Sequence, residues 1–574
     1  MSQVRPEILA PIAGAAWNYD CAAHLLERAG FGGTPNEILR LVALGPAAAV
    51  AELVHYQEHD NSHLPEFEES GFWDESLVNF PVSRPAATEF ADKTGEAMGV
   101  AVKPGGARPL QPITNRFFYW LRATVLETRR LAYWWQDRMV RTNRPLEEKM
   151  TLFWHGHFAT SEEKLRDYRK SKLQLETLRR GATGNFGTLL SAVAKDPAML
   201  VFLDAAQNVK GAPNENFGRE VMELFTMGVG NYTEDDIREA ARAFTGWGND
   251  DLEFVIDSDK HDDGPKTFLG QTGAFTGDDI LRIILEQHQT ANYIATKIYR
   301  FFVRDAVTPE FSVTLGDLLR AKNYEIAEFL EVLFVSEDFY SDASMASHIK
   351  SPTELIVSTY RKLGLSQLPS IPDPGSVGKV LGQVLLYPPT VAGWSEGRGW
   401  ITPGLLFERA NFAREVMFPN IIDFRDPLFN PGAEVRRVNA NINSGMEITA
   451  ATMEDGAAPS VSAGIQEAFN TRYASLVGYQ EALRRMRPIP RFAADFSLSQ
   501  IVQEAGATTT SEAVAHLCQR FLRTPLAPQA SAQLIDTLNA ELGTTQLAEA
   551  QTYMEHALRV VAHLIMSAPQ YQLA

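Results

Sequence analysis

The chain has 574 residues, more than one ordinary core accommodates, so two or three packed units, or one large helical body with appendages, are expected. Its 45% hydrophobic and 22% charged residues exclude wholesale disorder, and a net charge of −18 with no long Lys/Arg run argues against nucleic acid and anionic lipid as partners. Two cysteines, Cys21 and Cys518, exclude a disulfide framework and a Cys-rich zinc site, and both read as small buried hydrophobes.

In chain order, residues 1–59 form an N-terminal helical segment. Its run Ala22-Ala-His-Leu-Leu-Glu-Arg-Ala29 leads into a glycine-rich turn, and Thr34 caps a second helix from Pro35. The start of the chain lacks a basic stretch followed by a long apolar run, and no membrane span is evident, so a cytoplasmic location is expected. Residues 60–115, rich in Pro, Gly, Asp and Glu, read as an irregular excursion. A helical core is expected over 116–417. Its helices are predicted at Phe117–Val140, from Pro145 on, and at Gly187–Ala194, Phe217–Met227, Glu234–Phe244, Asp278–Gln287, Ala291–Phe302, Tyr324–Val335 and Thr353–Leu363. The best strand candidates are short, Phe254–Asp257 and Lys266–Leu269. Residues 418–496 read as an irregular crossing segment and 497–574 as a C-terminal helical segment with an amphipathic tail at Ala548–Met566. The expected fold class is mainly α, a large multi-helix body with long irregular loops and minor short β-strands.

Three polar clusters stand out. In Thr151-Leu-Phe-Trp-His-Gly-His-Phe-Ala-Thr-Ser161 two imidazoles flank a glycine in an aromatic segment. An α-helix separates such a pair by roughly 200°, so His155 and His157 converge on a divalent transition metal only where the helix ends or distorts at Gly156; otherwise they are two separately hydrogen-bonded histidines. In Asn214-Glu-Asn-Phe-Gly-Arg-Glu-Val-Met-Glu-Leu-Phe225 the helical wheel puts Glu220 and Glu223 on the border of an apolar stripe. There they serve as proton carriers, with Glu220 also a metal ligand, or belong to a surface salt-bridge lattice around Arg219. His261-Asp-Asp-Gly-Pro-Lys266 has turn composition, yet His261 and Asp262 are further catalytic candidates and Lys266 a substrate-binding one. Lys297 and Lys350 are candidates for holding an anionic substrate, and Trp394, after the rigid Pro388-Pro389 turn, for lining a pocket. Nucleophile-elbow, phosphate-loop, His-Glu-X-X-His and dinucleotide signatures are absent from the sequence.

Taken in order, His24-Leu-Leu-Glu-Arg-Ala-Gly-Phe-Gly, Glu148-Lys-Met-Thr-Leu-Phe-Trp-His-Gly-His-Phe, Asn214-Glu-Asn-Phe-Gly-Arg-Glu and Tyr232-Thr-Glu-Asp-Asp-Ile-Arg-Glu-Ala-Ala-Arg-Ala-Phe-Thr-Gly-Trp247 resemble the bacterial family known as domain of unknown function 1800. So do His261-Asp-Asp-Gly-Pro-Lys-Thr-Phe-Leu-Gly, Ile349-Lys-Ser-Pro-Thr-Glu-Leu and Gly382-Gln-Val-Leu-Leu-Tyr-Pro-Pro-Thr-Val-Ala-Gly-Trp394. The resemblance implies no settled activity. It does imply a companion of the domain of unknown function 1501 family, related to phosphatases and sulfatases and often exported, so that this chain stays in the cytoplasm or leaves with that partner. Two expectations follow: a metal-dependent hydrolytic or oxidative enzyme with a polar pocket in its helical core, or a non-catalytic assembly partner of the companion.

Overall fold

A computed structural model describes residues 9–73, 111–420 and 471–574. The fold is mainly α. The described strands form two short antiparallel hairpins, Trp247–Asp250 with Glu253–Ile256 and Lys266–Phe268 with Gln271–Gly273. Helix starts are chemically marked: Thr34, Thr233, Thr276, Ser351 and Thr509 each close a capping box with the acidic residue three positions on. No described helix is long and apolar enough to cross a membrane.

Two apolar clusters organise the interior. The first joins the N-terminal helices, from Tyr19 to Val54, to elements between Leu146 and Phe339. The second gathers Gln111–Arg141, the helices between Pro352 and Met417, and the C-terminal helices from Leu498 on. The expected irregular segments are only partly described. Residues 60–73 run without helix or strand, and residues 74–110 and 421–470 lie outside the described residues. Within the expected crossing segment, Thr471–Arg485 is a helix packed along Gln111–Arg141. The approach is close, since a Cβ on Gly478 would fall 2.5 Å from the Tyr119 amide nitrogen.

Buried ions tie the clusters together. Glu27, on Tyr19–Arg28, meets Lys350 at 3.1 Å and Lys362 at 2.8 Å, and all three are almost fully buried. Burial alone would raise the Glu27 carboxyl, but the two lysines and Arg523 hold it well below the usual range, so it is ionised.

Candidate functional site

The helix Pro145–His157 starts with proline at its first position, where a missing N–H costs nothing, and runs through Gly156 without distortion, ending one residue later. The two imidazoles therefore diverge as helical geometry requires. His155 lies between Trp135 and Trp394, with ring centroids 5.3 and 5.2 Å away, and its Nε2 accepts the Leu386 N–H at 3.1 Å. Burial pushes this imidazole down to about 4, leaving it neutral. Leu386 sits at φ +68°, a strained conformation for a residue with a Cβ, held by that bond and by its carbonyl accepting the Glu162 N–H at 2.9 Å.

His157 faces the other way. Its Nε2 donates to the Phe225 carbonyl at 3.0 Å, which leaves Nδ1 as acceptor for the Lys297 ammonium, also at 3.0 Å. Burial, followed by the charge of Lys297, depresses its pKa far below the ordinary histidine value. The Phe225 carbonyl is available because it lies in the last turn of its helix, where Val221–Thr226 winds as a π-helix following the α-turn Asn216–Glu220. The Thr226 hydroxyl bonds to Val221 O at 2.6 Å and the Met227 N–H to Met222 O at 2.9 Å, while Leu224 O accepts from Tyr293. Such wide turns are uncommon and recur at functional sites.

His157 and Lys297 line a cavity of about 470 Å³ that also receives Arg300, Phe301, Asp305, His348, Glu354, Trp394, Glu396, Arg398 and Trp400. His348 Nε2 pairs with Glu354 Oε2 at 3.0 Å. Glu354 is at once the capping-box residue of Pro352–Leu363 and the ion-pair partner of Lys149. Burial would raise it, but Lys149 holds it below its ordinary value, so it is an ionised acceptor that fixes the His348 ring through Nε2, with no partner for Nδ1 among the described residues. Lys297, Arg300 and Arg398 have no carboxylate within ion-pair distance among the described residues. Three cations without carboxylate partners thus border one cavity in a chain of net charge −18.

Of the residues expected from the sequence, the structure brings His157, Lys297 and Trp394 together here. His155 is separated by the helical twist and lies behind Trp394. Glu220 and Glu223 bond to neither imidazole; Glu223 accepts from the Tyr232 hydroxyl at 2.9 Å, and Glu220 is raised by burial and then by Glu223. The salt-bridge lattice is partly realised, with Arg219 reaching Glu215 at 3.1 Å and Glu234 at 2.8 Å. His261, Asp262 and Lys266 serve their own turn and do not line the cavity. His261 Nδ1 bonds to Thr245 O at 2.9 Å, Asp262 accepts from Arg242 at 2.8 Å and from the Gly264 N–H at 2.9 Å, and Lys266 donates to Gly264 O at 3.1 Å. The Arg242 guanidinium brings Asp262 down to about 2. Lys350 is an interior strut, donating to Tyr571 O at 3.0 Å beside Glu27, and does not line the cavity. Among the described residues no group of three His, Cys, Asp or Glu side chains could hold a metal ion, and the set His155, His157 and Glu220 does not converge. Both ring nitrogens of His157 are already engaged.

Sequence reasoning passed over His348, Glu354, Arg300 and Arg398. The Ser351-to-Glu354 capping box was a usable signal, because a carboxylate oxygen has more than one lone pair: Glu354 Oε2 accepts both the Ser351 N–H and His348, which stands three residues before the cap.

A family model described as "Protein of unknown function (DUF1800)" matches residues 24–573. No curated protein matches, and no solved structure matches.

Proposed function

The chain belongs to the DUF1800 family, whose description carries no activity, and we propose from the cavity itself that it is an enzyme acting on a small anionic molecule by proton transfer. The observation that carries this reading is the convergence of two hydrogen-bonded imidazole pairs, His157 with Lys297 and His348 with Glu354, on a cavity bordered by cations lacking carboxylate partners. Arg300, Arg398 and Lys297 would hold the anion, and Trp394, Trp400 and Phe301 its apolar part. His348, oriented by an ionised carboxylate, would act as general base or acid through Nδ1. A metal at His155, His157 and Glu220 is not part of this reading, because those residues do not converge and the two imidazoles bond to separate protein partners.

The test is thermal unfolding of the full chain against small carboxylates and phosphate monoesters, for wild type, Lys297→Met, Arg398→Ala and His348→Asn. A ligand at a hundred times its Kd stabilises the native state by about 2.7 kcal/mol. Wild type should gain a clear rise in Tm with at least one anion, Arg398→Ala should lose it, Lys297→Met should keep a smaller rise, and His348→Asn should retain it in full. Identical responses in all four proteins would rule the cavity out, and constant Tm together with co-purification of a phosphatase-like companion would favour the assembly role instead.

A further inference from the structure

Lys297 differs from the other enclosed lysines in what surrounds its amine. Lys149 meets Glu354, Lys170 meets Asp167, and Lys350 and Lys362 both meet Glu27. Lys266 donates to backbone carbonyls of its own turn. Lys297 alone among these reaches a neutral imidazole, His157 Nδ1 at 3.0 Å, with the Tyr293 ring centroid 5.3 Å away. It is also the one that lines the cavity. The acceptor has a fixed tautomer, since His157 Nε2–H is committed to Phe225 O. One amine hydrogen is thereby anchored to the wall. When Lys297 is uncharged, that anchor fixes the direction of the nitrogen lone pair relative to the cavity.

We propose that Lys297 is a nucleophile that forms an imine with a carbonyl compound bearing an anionic group, a 2-oxo acid being the simplest. The proposal rests on the reading of the cavity as an anion-binding active site. Arg300 and Arg398 take the carboxylate, which brings the adjacent carbonyl carbon to the amine. The nitrogen lone pair forms the N–C bond while the carbonyl π pair moves to oxygen, and one proton passes from nitrogen to that oxygen. A second proton, from His348 in its protonated form, turns the hydroxyl into water. Water leaves as the remaining nitrogen pair closes the C=N bond, so the products are a protonated imine and water, with no redox partner. The imine draws electrons from the neighbouring C–H bond, and His348, now neutral, can remove that proton. Burial supports the assignment by drawing the Lys297 amine below its ordinary value, against the opposing charge of Glu396. His157 is a positioning residue, acting through Lys297.

The experiment incubates the purified full chain with pyruvate, and separately with pyridoxal 5′-phosphate, under sodium borohydride, and maps adducts by peptide mass spectrometry. Binding of lactate, an anion with no carbonyl, is measured on the same preparations by tryptophan fluorescence. The expected result is one dominant adduct, on Lys297, lost in Lys297→Met. It should form more than about ten-fold more slowly in His157→Phe and recover in His157→Gln, whose side-chain oxygen still accepts a hydrogen bond. Lactate binding should survive in Lys297→Met at reduced affinity. Lactate binding without a Lys297 adduct overturns the imine and leaves the anion site standing. Failure of lactate, pyruvate and pyridoxal phosphate alike overturns both readings, and adducts spread evenly over surface lysines overturn the nucleophile assignment.

Discussion

Gly156 weakens the helix it belongs to, yet a Cβ built on it would meet nothing within 4 Å, and it lines the cavity. Helix stability favours alanine there by about 0.5–1 kcal/mol. Gly156→Ala is therefore expected to raise stability by up to that amount while narrowing the cavity, seen as a higher urea midpoint and weaker anion binding in the same protein. A variant gaining stability with unchanged binding would show that the space above Gly156 is not used. Gly393 is the opposite case. At φ +86° its Cβ would lie 2.5 Å from the Gly156 carbonyl oxygen, so Gly393→Ala meets both strain and overlap and should lower the midpoint. That the histidines of the His-Gly-His segment bond separately was legible in the sequence as one of its alternatives. Which imidazole would face the cavity was not, because that depends on Leu386 and Lys297, 231 and 140 residues away along the chain.

Helices with regular apolar stripes were read to within a few residues. The expected Glu234–Phe244 and Asp278–Gln287 correspond to Glu234–Ala243 and Gly277–Glu286. Those overlooked hide their buried face. Tyr168–Arg180 buries Arg169, Lys170, Ser171 and Gln174, the first two satisfied by Asp167, and Thr471–Arg485 packs with Ala474, Gly478 and Ala482 where a stripe would show large side chains. The π-turn was invisible for another reason. Its spare carbonyls are used by His157 and Tyr293 from distant elements, so tertiary bonds hold a winding that local preference does not favour. Thr226→Val keeps the shape and removes the hydroxyl that satisfies Val221 O. The expected cost is about 1–2 kcal/mol in urea unfolding, accompanied by a change in the ¹⁵N resonances of His157 as Phe225 O is displaced. Unchanged His157 resonances would show that the hydroxyl does not maintain this turn.

Across the whole molecule, composition suggested boundaries along the chain, whereas the two apolar clusters join segments far apart in it, with ionisable groups enclosed where the clusters meet. Several of these are held neutral, and pH acts on them in opposite senses. His155 is lowered to about 4 in the fold from 6.5, so between those values the unfolded chain binds the extra proton, and the group's contribution is lost as pH falls from about 6.5 towards 4. Glu162 is the reverse case. Burial raises it to about 8, against the Ser171 hydroxyl, which donates to Oε1 at 2.7 Å. Here the folded chain holds the extra proton, so the contribution is complete below about 4.5 and disappears as pH rises through 8. One such group changes stability by about 1.4 kcal/mol for each pH step inside its window. Glu162→Gln removes the titration while preserving shape, so the difference in denaturation midpoint between wild type and variant should favour wild type most at pH 5 and shrink steadily to pH 8. Replacing His155 with leucine should produce its largest effect on the pH slope below 6.5 and none between 7 and 8. A wild-type advantage over Glu162→Gln that grows with pH would mean that this carboxyl is ionised in the fold, and the assignment of Glu162 as a neutral buried acid would fall.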